Sequence, residues 1–195
     1  MADHMDASLT EVAMLRRAVR DEQLRSERFW AHGLDVEGLL RGVTASLNTL
    51  PLVVVEHAEF DHYGSGYASY ADVSVTKRDG STRRNEGGGQ VSVECLNVLL
   101  CRLTPVACVL RPANRWRGPG DNGSSVLPES DRAVTAPDRS WASEYRQIRD
   151  VLDRHGIALI GADLLIRPLP MGLAVETNLA DSAQTIFDAW FHWRD

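Results

Sequence analysis

Apolar residues follow changing rhythms along the chain, and each rhythm predicts a different element. From Ser8 to Trp30, Leu9, Val12, Ala13, Leu15, Val19, Leu24 and Phe29 recur at roughly helical spacing among many charges, as one buried face on a 3.6-residue period requires. Ser8-Leu-Thr-Glu11 has the form of a capping box, in which the serine and glutamate side chains satisfy free backbone donors at a helix start. Gly33 would end that long helix. Asp35 then stands where it can cap a second helix bearing Val36, Leu39, Leu40, Val43 and Leu47, which Pro51 stops. There the rhythm shortens. Leu52-Val-Val-Val55 is β-branched and too brief for a helix, and Ala71 to Arg78 alternates Val73 and Val75 with Ser74 and Thr76, the two-residue period of a half-buried strand. Asp79-Gly80 has hairpin-turn composition. After Gly87-Gly88-Gly89, Val91 and Val93 alternate again.

The block Cys95 to Leu103 is too uniformly apolar to show a period, so a buried strand and a short buried helix both fit it. Val106 to Leu110 reads as another strand. From Arg111 to Arg139 the composition turns to Pro, Gly, Asn, Ser and Asp, predicting a long loop of a kind that is usually functional or mobile. Ser140 is placed as N-cap of a helix carrying Trp141, Tyr145, Ile148, Val151 and Leu152, with Gly156 as its terminator. Ala158 to Ile166 is apolar, Pro168 and Pro170 interrupt the next stretch, and Leu173-Ala-Val175 predicts a short strand. The end is aromatic: Phe187, Trp190, Phe191 and Trp193, preceded by Ile186. Helices lead, strands cluster centrally, and a helix-strand segment closes the chain. That order predicts an α+β fold with N-terminal helices and a central, mostly antiparallel sheet, forming one domain over residues 1–195 with a loop at about 111–139.

Composition agrees with a folded globular domain: 195 residues, 44% hydrophobic and 25% charged. The net charge of −6 is the wrong sign for a protein whose main partner is a phosphate backbone, so nucleic acid is not an expected partner. The charge is uneven. Residues 1–118 carry 15 acidic and 14 basic side chains and residues 119–195 carry 12 and 7, which puts five of the six negative charges in the last 77 residues. Lys77 is the only lysine, leaving guanidinium groups as nearly all the cations. Cys95, Cys101 and Cys108 are odd in number and lie in apolar surroundings, while Met1 to Thr10 is polar and lacks an apolar targeting core. These features predict a cytoplasmic protein without structural disulfides. No stretch approaches eighteen uninterrupted apolar residues, so no membrane span is expected.

The densest polar cluster is His57-Ala-Glu59-Phe-Asp61-His62. On a continued strand His57, Glu59 and Asp61 would project from one face, and such a set can ligate a metal, with His62 pointing the other way. His-Ala-Glu is also the first half of the zinc deaminase signature, but its Pro-Cys-x-x-Cys half is missing: Pro105-Val-Ala-Cys108 has a single cysteine. Gly64-Ser65-Gly66 lacks the spacing of a nucleophile elbow, and neither it nor Gly87-Gly88-Gly89 fits a nucleotide-binding loop. The cysteines flanked by Leu and Val read as packing groups. A cofactor is therefore not expected, and an enzyme, metal-dependent through His57, Glu59, Asp61 and His62, is the alternative reading only.

Recognition is the better-supported theme. Tyr63, Tyr67 and Tyr70 alternate with Gly and Ser, a composition binding loops use because tyrosine gives contact area at low entropic cost. Arg115 and Trp116 form a guanidinium-indole pair beside the long loop. Asp188, Trp190 and Trp193 belong to an aromatic terminus that either docks into the core or forms a partner patch. Lys77, Arg78, Arg83 and Arg84 surround the expected turn, where exposed charge resists edge-to-edge pairing.

Glu94-Cys-Leu-Asn-Val-Leu-Leu-Cys-Arg-Leu-Thr-Pro-Val-Ala107, Ile148-Arg-Asp-Val-Leu-Asp-Arg-His-Gly156, Arg167-Pro-Leu-Pro170 and Thr185-Ile-Phe-Asp-Ala-Trp-Phe-His-Trp193 together resemble segments of small uncharacterised bacterial proteins, some of them similar to immunity proteins that neutralise toxins of neighbouring cells. The resemblance spans roughly residues 90–195. It implies a protein-binding module that inhibits a toxin, without a catalytic centre of its own. The sequence leaves the partner's identity and the oligomeric state open.

Overall fold

The computed structural model describes residues 34–61, 64, 66–118, 128–170, 172–178 and 184–194. The helix expected at 8–30 lies outside them, as do His62 and Tyr63. Helix α1 (Val36–Asn48) begins where Asp35 accepts a hydrogen bond from the Gly38 amide at 2.9 Å, and it buries Val36, Leu40, Val43 and Leu47 along one face. The chain then enters β1 (Val53–Glu59), β2 (Tyr67–Ala68), β3 (Tyr70–Lys77), β4 (Arg83–Gly87), β5 (Gln90–Cys101) and β6 (Val106–Arg117). After two short 3-10 turns come α2 (Ala142–Arg154), β7 (Ala158–Leu159), α3 (Ala162–Leu165), α4 (Ile186–Trp190) and β8 (Trp193–Arg194). The architecture is α+β. The main sheet runs β1-β3-β5-β6-β7, with β4 also pairing β5, and all its pairings are antiparallel except β6 with β7.

Cys95 to Cys101 resolves as strand because both of its faces are covered, and the chain leaves the sheet at Arg102 and Leu103. Leu96, Val98 and Leu100 enter a core against α1 and α2, whereas Leu99 and Cys101 enter a second core beneath the C-terminal segment. A strand buried on both sides loses the alternation that would reveal it. The first core joins Val73, Val75, Val98 and Val109 of the sheet to Leu40, Leu47, Trp141 and Ile148 of the helices. In the second, Tyr70, Leu99, Cys108 and Leu110 meet Leu165, Phe187, Trp190 and Phe191. The aromatic terminus is therefore docked.

Ser69 fastens it there. Its hydroxyl donates to the Trp190 carbonyl at 2.9 Å and accepts from the His192 amide at 2.9 Å, while β2 and β8 form a separate two-stranded sheet alongside.

Besides the approach to α2, where Asp138 rather than Ser140 is the capping side chain and accepts from the Ser140 amide at 2.8 Å, three local expectations differ from the structure. Asp79-Gly80 does turn, but a second turn closed by the Arg83 amide on the Gly80 carbonyl follows at once. The two cancel, so β4 continues along β5 in the direction β3 had. The reversal falls at Gly88-Gly89, both with positive φ, as a two-residue type I′ hairpin needs. Second, β6 runs on to Arg117, seven residues into the stretch expected to be loop. Cross-strand pairing with β5 outweighs the poor strand composition there. Third, Leu173 to Val175 forms no strand; Gln184 bonds the Val175 amide through its side chain instead.

Candidate functional site

The outer end of the sheet, where β4, β5 and β6 form a three-stranded ribbon beside β1, gathers the polar residues. Bulges shape it. In β1, Val55 opposes Val75 and His57 opposes Ser74, so Glu56 is an inserted residue. In β6, Leu110 opposes Asn97 and Ala113 opposes Cys95, leaving Arg111 and Pro112 opposite Leu96 alone. A bulge is one of the few places a sheet tolerates proline, and each bulge adds local twist. Val55 and Ala58 pack on the helix-side core. His57 and Glu59 therefore share the other face with Ser74 and Asp72, their cross-strand partners.

On that face one carboxylate meets two guanidiniums. Arg83 Nη2 of β4 lies 2.6 Å from Glu56 Oε2, and Arg117 of β6 puts Nε 2.8 Å from Oε1 and donates from Nη2 to the Glu56 carbonyl at 2.9 Å. The Arg117 Nε contact is ionic only, since Oε1 receives no aligned donor. Because β3 and β5 separate β1 from β6, a direct ion pair between them shows that the sheet curls over this face. The Glu56 side chain is 3% exposed, and a carboxylate so buried would cost several kcal/mol without such partners. Arg115, opposite Val93, sends Nη1 to within 3.3 Å of Ser74 Oγ.

His57 borders this group. Burial lowers its affinity for a proton, Arg115 and Arg117 lower it further, and Glu59 opposes them without reversing the direction. The ring is thus mostly neutral at pH 7. His57 and Glu59 share a face as a metal site requires, but β1 ends at Glu59, and the Glu59 carboxylate accepts from the Asp61 amide at 2.5 Å. Among the described residues no three His, Cys, Asp or Glu side chains are arranged to hold a metal.

The residues expected to recognise a partner separate into two sets. Tyr70 and Trp190 are core residues, and Asp188 is buried in a capping box with Thr185 at the start of α4. Tyr67 and Trp193 are half-buried in the β2-β8 pair, where Arg194 lies 5.6 Å from the Tyr67 ring centre. These five build the C-terminal layer. Arg115 and Trp116 stay together at the ribbon end. Trp116 is 46% exposed and is the one aromatic among the four exposed large apolar side chains of the described residues. It stands in a cross-strand row with Arg84 and Ser92, on the face opposite the row of Arg83, Val93 and Arg115. Every residue of β4 is exposed.

Nucleophilic chemistry is poorly served by the cysteines. Burial pushes the Cys95 and Cys101 thiols up to about 12 and Cys108 well above its ordinary value. Such thiols are inert at neutral pH. Glu56, Arg83 and Arg117 had no signature as a site, because only the bulge and curl bring them together. Compared with known proteins, the chain matches no family model, no curated protein and no solved structure.

Proposed function

We propose that the chain is a protein-binding module that inhibits a toxin, in the manner of immunity and antitoxin proteins, and that it works in the cytoplasm through the outer end of the β4-β5-β6 ribbon. The observation that carries this reading is Trp116, a large aromatic left 46% exposed on β6 and flanked in sequence by Arg115 and Arg117. Tryptophan and arginine are the residue types that dominate protein-protein hot spots. The excess of acidic over basic residues in 119–195 supplies a second field with which a basic partner would be steered. Retention of products of the adjacent genes on the immobilised chain at low salt tests the reading. Wild-type chain retains one such product, and Trp116→Ala, with its unfolding midpoint unchanged, weakens retention at least about tenfold. Failure of every adjacent gene product to bind removes the proposal.

A further inference from the structure

His57 of β1 and Ser74 of β3 are cross-strand partners on the face toward which the sheet curls. Arg115 starts on β6, opposite Val93, and crosses β5 to bring Nη1 within 3.3 Å of Ser74 Oγ. Its guanidinium is therefore held over β3, two strands inward from the β6 edge.

The pairing of charges on this face is inverted. Three guanidiniums share it with the buried Glu56, yet the carboxylate goes to Arg83 and Arg117, which are exposed, while the half-buried Arg115 has no ion-pair partner among the described residues. A cation costs most to bury where no counter-ion offsets it, so a self-sufficient arrangement would have served Arg115 first. The other carboxylates of the face are engaged, Glu59 by the Asp61 amide at 2.5 Å and Asp72 by Asn97 Nδ2 at 3.1 and 3.2 Å. Two neighbours register the excess of positive charge. After burial, which acts most, Arg115 and Arg117 lower the proton affinity of His57 and only Glu59 opposes them. At Cys95 of β5, Arg115, Arg83 and Arg117 all act against Glu56 alone.

An oxyanion would complete the set. The guanidinium fork takes a carboxylate or phosphate through two parallel bonds, and a serine hydroxyl and a neutral imidazole can each donate one more. We infer that the curled face binds one oxyanion, the carboxylate or phosphate group of a small ligand, which Arg115 holds over Ser74 with the His57 ring beside it. This site is separate from the protein-binding surface proposed above, because Trp116 lies on the opposite face.

An NMR pH titration of the His57 ring in the full-length protein tests this, the signal being assigned by its loss in His57→Asn. Sodium phosphate and sodium acetate are the probes, with sodium chloride at equal ionic strength as reference. An anion beside the ring favours the imidazolium, so the His57 midpoint rises by about 0.5 or more and the rise saturates with probe concentration. Saturation by phosphate alone assigns a phosphate-bearing ligand, and saturation by acetate a carboxylate. Arg115→Gln weakens the response at least about tenfold, and Arg115→Lys, which keeps the charge but loses the fork, falls between Arg115→Gln and wild type. Arg84→Gln, on the opposite face, responds as wild type does. Unchanged urea midpoints in these variants exclude a folding defect. The inference is overturned if neither probe differs from chloride, if Arg115→Gln responds like wild type, or if Arg84→Gln weakens the response as much as Arg115→Gln.

Discussion

Replacing Arg102, the one charged residue between β5 and β6, by methionine is expected to be strongly destabilising. Its guanidinium is 3% exposed and ties four parts of the chain together. Nε donates to Glu37 Oε1 in the first turn of α1 at 2.6 Å, Nη2 to the Phe60 carbonyl beyond β1 at 2.7 Å, and Nη1 to the carbonyls of Ala68, at 3.0 Å, and Tyr70. Methionine keeps most of the volume but donates nothing, so three buried carbonyls lose a charged donor, at roughly 1–3 kcal/mol each. Removing the ion also removes its own desolvation penalty, and the net cost is about 3 kcal/mol. Glu37→Gln breaks the same ion pair from the other side. Glu37 is 31% exposed and the carbonyls still solvate the guanidinium, so that change costs only about 1 kcal/mol. Equilibrium urea unfolding reads both. With a slope near ~2 kcal/mol/M, the midpoint falls by about 1.5 M for Arg102→Met and about 0.5 M for Glu37→Gln, the slope itself unchanged. A methionine variant within about 0.5 M of wild type, or a glutamine variant equally destabilised, would refute this account of the clamp.

Glu56→Gln offers one acceptor to two guanidiniums and turns an amide donor toward the other. Arg83 and Arg117 are about half exposed and regain water, so the discounted loss is about 2 kcal/mol by urea unfolding; unchanged stability would mean the ion pairs contribute nothing. His57 is held below its ordinary value of 6.5, so the unfolded chain takes up its proton first as pH falls. The stability contributed by the neutral ring is complete above that value and is lost below it. Wild type should accordingly lose more stability between about pH 7 and pH 5 than His57→Asn does, and equal losses would count against the assignment. With every cysteine buried and its thiol raised, iodoacetamide at about pH 8 should modify none of the three in the native protein and all three in urea; a native adduct at any of them contradicts the packing.

Much of the fold was legible because local and tertiary preferences agree. Asp35 caps the helix it was placed to cap, and Val36, Leu40, Val43 and Leu47 bury the face their spacing marked. Val73 and Val75 point to the core their alternation implied. The readings that differ fall where partners distant in sequence decide. Asp79-Gly80 carries a turn signal that a second turn cancels, and no local rule distinguishes a reversal from a detour that rejoins the same neighbouring strand. Arg111 to Arg117 has the composition of a loop, yet β5 is long enough to pair with it and holds it as strand.

The site was hidden for a related reason, rooted in strand periodicity. On a regular strand continuing from Leu52, Val55 and His57 would share one face, and Glu56 would lie on the other. The inserted Glu56 breaks that phase: Val55 stays with the helix-side core while His57 passes to the opposite face, together with Ser74 and Asp72. A single extra residue reverses the facing of everything after it. Its own carboxylate, buried by the same distortion, needs cations, and the extra residue in β6 helps bend that strand so that Arg117 can supply one across two intervening strands. The arginines thereby gather at one end of an otherwise acidic chain. Glu56 engages two of them, and Arg115 reaches across β5 to Ser74 Oγ, while Trp116 stays exposed on the other face. This clustering follows from the placement of two bulges, which residue types alone do not encode. The residue types matter afterwards: with lysine in place of Arg117, a single ammonium would have to serve both Glu56 Oε1 and the Glu56 carbonyl, and the curl would lose the fork that fastens it.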